Sequence, residues 1–311
     1  KVLQFMARRA PKKDGTTTPR SEKDLPQVQS GMLNNRTTGV PLCAIIQNTD
    51  TRSKDYSNLE RLPRPGHADY TGAMRYRGFQ DVRGGGHFCG QILERRGIYT
   101  GAHIAAIHGV EDDAFSETDV SRADILAVRE KPFAVINDAQ GEIMQEDIRN
   151  AGKGGESLGG LIECAVVNMP AGVGSPMFQG LENTIAQLIF GIPAVKGLEF
   201  GAGFQVAEMV GSQNNDPFYM DENGHVKTKT NHHGGILGGI SSGMPIILRV
   251  AIKPTASIAK PQETVDFRAG TNEILQIHGR HDPCIVPRAV PCVEAAVNLA
   301  LLSHMMDYPH F

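Results

Sequence analysis

A glycine-rich segment is the first place where residue types and spacing could do chemistry. Five glycines lie in the ten residues from Gly234 to Gly243, and an apolar run and the segment from Lys253 to Ser257 follow them. Glycine lets a backbone approach a flat ring or a phosphate closely, while lysine and hydroxyl groups donate hydrogen bonds to phosphate. The segment therefore predicts a cradle for an anion and a ring. It matches neither common nucleotide-binding pattern, so a set of purely structural turns remains an alternative.

A histidine follows an arginine in the turn Arg64-Pro65-Gly66-His67. Histidine titrates near neutral pH and can protonate a leaving phosphate, and arginine can hold that phosphate with paired N–H donors. The turn is a candidate for acid catalysis next to an anion. A hydrogen-bonded structural histidine would produce the same pattern, and that alternative stays open.

A third polar segment presents Arg280 and Asp282 in a loop that we interpret as facing a ligand. The spacing of His278, His281 and Cys284 also suggests a metal. Only three ligands are within reach, however, and no second ligand pair such as CxxC exists in the sequence. We therefore predict no metal site.

The elements that must position these residues are short strands and amphipathic helices. Apolar runs bounded by turn residues predict strands at residues 41–46, 103–108, 133–137, 161–168, 195–200 and 245–252. Helical spacing predicts helices at the start of the chain and at residues 121–130, 181–190 and 293–306, with a loop over 7–30. This order of elements favours one compact α+β domain.

Composition narrows the class of protein. The 311 residues are 40% hydrophobic with a formal net charge of -3, which gives no strong field for nucleic acid or acidic membranes. A basic loop with Arg8, Arg9, Lys12 and Lys13 would give only weak, salt-sensitive binding of nucleic acid. The five cysteines form no CxxC pair, which favours a reducing cytoplasm. We expect no apolar stretch near the roughly 18 residues of a membrane span.

Taken in order, these segments resemble the signature segments of the chorismate synthase family, and nearly the whole chain takes part. The matching segments are ARRAP, TTTPR, Ser30 to Gly39, NTDTRSKDYS, RPGHADYT, DVRGGGHF, GIPAVKGLEFGAGF, GSQNND, HHGGILGGISSG, KPTASI and GRHDPCIVPRAVP. The resemblance implies an α+β fold, a β-α-β sandwich with two antiparallel sheets packed together inside a shell of helices. It also implies a cytoplasmic homotetramer. We expect a single domain over residues 1–311, with an N-terminal segment and a stretch near 88–90 missing.

The activity that the resemblance implies is a lyase reaction of the shikimate pathway, in aromatic amino acid biosynthesis. The substrate would be 5-enolpyruvylshikimate 3-phosphate, and an anti-1,4-elimination of phosphate would give chorismate. The cofactor would be reduced FMN, with no net redox change. The compact motif spacing is similar to the monofunctional, bacterial-type branch, although the sequence leaves open whether NADPH reduces the flavin and yields NADP here. A catalytically inactive anion- and flavin-binding paralogue is the alternative.

The resemblance also implies roles for individual residues. His67 and Asp282 would be catalytic, His67 protonating the departing phosphate and Asp282 helping to remove a ring proton. Arg9 and Arg64 would bind substrate. The flavin-binding residues would be His87, Phe88, Pro193, Ala194, Gly238, Lys253, Pro254, Thr255, Ala256, Ser257 and Arg280.

Overall fold

The structure is a computed structural model, and it describes residues 2–11, 14–17, 25–34, 36–39, 43–46, 91–279 and 281–307. The chain forms two compact units. The first contains Lys1–Gly86, Ile148–Ser157 and Thr255–Cys284, and the second contains His87–Asp147, Leu158–Pro254 and Ile285–Phe311. The expectation of a single domain stays a prediction.

The described strands of the first unit form antiparallel two-stranded ribbons. Helix α1 (Val2–Arg9) confirms the predicted helix at the start of the chain. The strands are β1 (Pro26–Ser30), β2 (Met32–Leu33), β3 (Arg36–Thr37) and β4 (Cys43–Ile46), and β1 pairs with β4 and β2 with β3. The prediction of a loop over 7–30 is thus wrong where α1 and β1 lie within it.

A five-stranded antiparallel sheet forms the core of the second unit. Its strands are β5 (Tyr99–Ile107), β6 (Val110–Glu111), β7 (Gly160–Val167), β8 (Val195–Phe200) and β13 (Ile246–Ile252), in the order β6-β5-β7-β13-β8. On β13, Leu248 and Val250 are fully buried while Arg249 between them is half-buried. Period-two burial of this kind confirms the predicted strand at 245–252, and the strands at 103–108, 161–168 and 195–200 are also confirmed.

Three smaller ribbons complete the described strands. They are β9 (Phe218–Met220) with β10 (Val226–Thr228), β11 (Ile236–Leu237) with β12 (Ile240–Ser241), and β14 (Gln262–Asp266) with β15 (Thr271–Leu275). The first two ribbons belong to the second unit, and β14–β15 belongs to the first.

The described α-helices after α1 are α2 (Gln91–Arg95), α3 (Arg122–Glu130), α4 (Asp138–Lys153), α5 (Leu181–Phe190), α6 (Gly211–Asn214) and α7 (Val286–Asp307). Helix α3 packs against β5 of the five-stranded sheet, α5 against β8, and α7 against β5 and β7. At the start of α3 the Asp124 N–H donates to Ser121 Oγ at 3.2 Å, and Asp124 Oδ2 accepts from the Ser121 N–H at 2.8 Å. This reciprocal cap fixes where the predicted helix begins. Helices and antiparallel sheets together confirm the predicted α+β class.

The predicted strand at 133–137 is wrong. Residues 131–137 contain bends and no strand, because their backbone groups bond elsewhere. Asp112 accepts the N–H groups of Ile136 at 2.6 Å and Asn137 at 2.8 Å. A side chain from a distant loop thus takes donors that a neighbouring strand would otherwise have used.

Helix α7 begins at Val286, earlier than the predicted start at 293. By length and composition it could cross a membrane, with a mean hydropathy of 1.4, which corrects the expectation that no apolar stretch approaches that length. It packs against β5 and α5, and 61% of its most apolar window is buried. Glu294 within it is fully buried and accepts the Ala102 N–H of β5 at 2.9 Å. The core helix of a globular protein can have the same length and composition, so α7 is only weak support for a membrane span.

Candidate functional site

The glycine-rich segment folds into a tight hairpin in the second unit. Gly238 and Gly239 form the two-residue turn between β11 and β12, with φ of +60° and +85°. Both angles are left-handed, as two-residue hairpin turns of this kind require. A Cβ at Gly239 would collide with the Ser175 carbonyl oxygen, whereas a Cβ at Gly238 would meet nothing within 4 Å. One side of the turn is therefore packed, and the other is open to a flat ligand.

Asn231 anchors this hairpin and was not singled out by the sequence analysis. Its side chain is 1% exposed, and its Nδ2 donates to the carbonyl oxygens of Glu117 at 2.8 Å and Pro245 at 2.9 Å. Its Oδ1 accepts the Gly235 N–H at 2.9 Å. An asparagine three residues before a glycine pair was the available signal, because such side chains often bond to nearby backbone.

Asp216 organises the two histidines that precede the glycines. It accepts Thr230 Oγ1–H at 2.6 Å and the N–H groups of His232 at 2.9 Å and His233 at 3.1 Å. Burial alone would raise the pKa of Asp216, but these hydrogen bonds outweigh it and lower the pKa below its usual range. The carboxylate therefore stays charged and fixes the backbone of His232 and His233, which precede the hairpin.

The predicted flavin residues Pro193, Ala194 and Lys253 also belong to the second unit, and two of them are brought together. The Lys253 N–H donates to the Ala194 carbonyl at 2.9 Å. Ala194 has a φ of +75°, a left-handed conformation that costs about 1–2 kcal/mol for a residue with a Cβ. Strain of this size tends to persist at ligand sites, where surrounding contacts impose it.

The segment from Lys253 to Ser257 passes from the second unit into the first at Thr255. Within the first unit, Ser157 Oγ donates to the Thr255 carbonyl at 2.6 Å, and Gln262 Nε2 donates to the Ala256 carbonyl at 3.4 Å. Thr255 Oγ1 is buried and has no hydrogen-bond partner in the described part of the chain. A buried hydroxyl without a partner is costly, so it fits a site that a polar ligand completes.

Several predicted site residues cannot be placed. His67, Arg64, His87, Phe88 and Arg280 lie outside the described residues, as does the side chain of Arg9, whose backbone ends α1. Asp282 is half-buried in the first unit, where it takes part in polar interactions. Within the described ranges, no three His, Cys, Asp or Glu side chains are grouped to hold a metal ion.

A buried charged row joins Asp112, His103 on β5 and Glu163 on β7, and the sequence did not predict it. His103 on β5 lies directly opposite Glu163 on β7, and both are buried. His103 Nδ1 is 3.0 Å from Asp112 Oδ2, and its Nε2 is 2.9 Å from Glu163 Oε2. The signal was present, because a histidine and a glutamate interrupt the apolar runs at 103–108 and 161–168.

Burial alone would lower the pKa of His103. The hydrogen bonds and charges of Asp112 and Glu163 outweigh it and raise the pKa above its ordinary value of 6.5. Glu163 Oε2 also accepts the Phe115 N–H at 2.8 Å. Each ring nitrogen faces a carboxylate oxygen, so only the doubly protonated imidazole can donate to both, and Glu163 also joins the row to the loop backbone at Phe115.

The likeness to a solved structure defines the class of fold. A structure titled "Crystal Structure of Chorismate Synthase" matches 99% of this chain and 83% of its own, with a TM-score of 0.70 at 24% sequence identity. This chain therefore has that α+β fold, as the sequence resemblance implied.

Sequence comparison then gives the family. The chorismate synthase family profile matches residues 1–306. Chorismate synthases of Korarchaeum cryptofilum, Thermococcus kodakarensis and Dehalococcoides mccartyi are 41%, 42% and 44% identical to this chain. The alignments cover 98%, 93% and 91% of this chain and 87%, 83% and 80% of those relatives. The chain belongs to the chorismate synthase family, lyases of the shikimate pathway that serve aromatic biosynthesis, and the resemblance is confirmed.

Proposed function

We propose that this protein eliminates phosphate from 5-enolpyruvylshikimate 3-phosphate to give chorismate, with reduced FMN as its cofactor. One C–H bond and one C–O bond of the substrate break, a second ring double bond forms, and a proton and phosphate leave. Family membership supports the reaction class. The observation that carries the cofactor proposal is the open side of Gly238, where a flat ring would meet no Cβ.

Each unit carries described groups of the kind that a ring or a phosphate needs. In the second unit Gly238 offers bare backbone, and in the first unit the buried Thr255 Oγ1, without a partner among the described residues, offers a donor. Ala194 and Lys253 are held together by their backbone hydrogen bond. When bound, reduced FMN supplies an electron that assists the loss of phosphate and is later recovered.

The remaining roles belong to side chains that bind or move protons. Arg9 and Arg64 would hold the anionic groups of the substrate, and His67 would protonate the departing phosphate. Asp282 would assist removal of the ring proton. His87, Phe88, Pro193, Pro254, Ala256, Ser257 and Arg280 would complete the flavin site.

The setting we propose is a cytoplasmic homotetramer of the monofunctional type, which receives its FMN already reduced. The test is an anaerobic assay with chemically reduced FMN and the phosphorylated enolpyruvyl substrate, following both chorismate absorbance and phosphate release. We expect equal amounts of the two products, and none with oxidised FMN. Folded protein that releases no chorismate under these conditions would overturn the proposal.

Replacing His67 by Ala tests its assigned role. We expect turnover to fall about 100-fold or more while FMN binding is retained, because a general acid acts only in the transition state. His278→Ala is the matched control, since His278 is an exposed histidine of the first unit. Near-normal turnover of His67→Ala would remove His67 from the mechanism.

A further inference from the structure

His233 lies at the base of the glycine hairpin and has no part in the proposed reaction. The Gly235 N–H points at two acceptors, Asn231 Oδ1 at 2.9 Å and His233 Nδ1 at 3.0 Å. The Gly235 carbonyl accepts the Ser242 N–H from the other side of the hairpin at 2.9 Å. Gly235 therefore closes the base of the turn that carries Gly238, and His233 holds its amide.

This contact fixes the protonation state of the imidazole. Because Nδ1 accepts a hydrogen bond, the ring proton of neutral His233 lies on Nε2, which is 3.3 Å from Asp216 Oδ2. Asp216 also accepts the backbone N–H of His233, whereas Nε2 itself is buried and makes no hydrogen bond with a described residue.

A second proton would reverse the contact. It would sit on Nδ1 and oppose the Gly235 N–H, so that two donors would face each other. Four influences act on the group: burial lowers the pKa of His233, the charge of Asp216 raises it, neighbouring His232 lowers it, and a backbone hydrogen bond of His233 raises it. The net shift is downward from 6.5, so the ring is neutral at neutral pH and charges only on acidification.

We propose that His233 is a positioning residue, which holds the Gly238 turn in its ligand-ready shape and makes flavin binding fail on acidification. The effect on flavin binding, which is the functional half of the inference, rests on the proposed function. The effect on the shape of the turn, which is the structural half, does not. The affinity for flavin is therefore expected to be present at a pH above the pKa of His233 in the folded protein, and to be lost as the pH falls through that pKa.

Hydrogen exchange tests the structural half without any ligand. The protection factor of the Gly235 amide is measured by NMR between pH 5 and 8, corrected for the intrinsic pH dependence of exchange. We expect at least a tenfold loss of protection in acid for the natural protein. His233→Asn, whose Oδ1 can replace Nδ1 as acceptor, should keep protection at every pH, and His233→Ala should show lower protection with no acid loss. Unchanged acid loss in both variants would overturn the proposal.

Binding of oxidised FMN, followed by its fluorescence over the same pH range, tests the functional half. The natural protein should bind about tenfold more weakly at pH 5.5 than at pH 7.5, and His233→Asn should change less than twofold. His232→Asn is the matched control, because His232 Nδ1 lies 3.1 Å from the Asn214 carbonyl instead, and it should keep the acid loss. Equal acid loss in His233→Asn would overturn the inference. Absence of FMN binding at any pH, with Gly235 protection behaving as expected, would instead count against the flavin proposal.

Discussion

His103 and His233 are histidines beside an aspartate in the same unit, yet their pKa values move in opposite directions. His103 faces a carboxylate at each ring nitrogen, and its pKa is raised. His233 faces Asp216 at one nitrogen and a backbone N–H at the other, and its pKa is lowered. Burial lowers the pKa of both imidazoles. Two hydrogen-bonded carboxylates outweigh burial at His103, whereas at His233 burial and neighbouring His232 outweigh the single charge of Asp216.

The two regions use their polar groups differently. The His103 row joins β5, β7 and the loop at Ile136 through charge, whereas the hairpin is held by neutral contacts to Gly235 and by close backbone packing. We therefore expect damage to the charged row to reduce stability, and damage to the open side of the hairpin turn at Gly238 to reduce ligand binding.

The largest effect should follow from breaking the charged row. Asp112→Asn removes one of two buried charges that face His103 and should lower the free energy of unfolding by about 3–5 kcal/mol. Urea denaturation followed by circular dichroism measures the change. Asp113→Asn, on the exposed neighbour, is the control and should change stability by about 0.5 kcal/mol or less. If both variants lowered the free energy of unfolding equally, the buried row would stabilise the protein no more than an exposed carboxylate does.

A matched pair of glycine substitutions should separate the two sides of the hairpin turn. Gly239→Ala adds left-handed strain and a collision with Ser175, so it should cost about 3 kcal/mol of stability. Gly238→Ala meets open space and should cost about 1 kcal/mol, but it should weaken FMN binding about tenfold. Urea denaturation and FMN titration of both proteins provide the measurements. Full FMN affinity in Gly238→Ala would argue against a ring beside that turn.

The smallest effect should be a pH dependence of stability from His103. Its pKa is raised on folding, so its contribution is complete below 6.5 and is lost as the pH rises through the folded-state pKa. The urea midpoint of the natural protein should therefore decline on the alkaline side. His103→Gln lacks the titrating group, and its midpoint should decline less between pH 6 and pH 9. Parallel curves for the two proteins would contradict a protonated His103.

Local pattern predicted the sheet well and its surroundings less well. The strand at 245–252 was predictable because alternate residues face a buried side, and α3 because Ser121 and Asp124 form its cap. The run at 133–137 has the composition of a strand, but Asp112 takes two of its N–H groups. Hydrogen bonds between a backbone segment and a distant side chain cannot be predicted from the residues of that segment alone.

Helix α4 was missed for a related reason. Gly141 lowers the helix propensity of this segment. The reason for a glycine there is visible only in the folded structure, because a Cβ at position 141 would lie 2.7 Å from Val135 Cγ2. The same limit applies to the site. Composition and resemblance singled out Gly238 and Lys253, and their role in binding flavin stays a prediction. The tautomer of His233 depends on the Gly235 amide, which only the folded backbone places.

The two units are interleaved along the chain, and this affects how the protein can fold. The first unit needs Thr255–Cys284 to be complete, and the second needs segments on both sides of that stretch. Neither unit can therefore finish before late parts of the chain have been synthesised, and no single cut releases either one intact. Contacts between such distant segments slow folding and expose unfinished apolar surface. A ribosome-bound intermediate of this protein should therefore depend on chaperones more than a chain whose units follow one another in sequence.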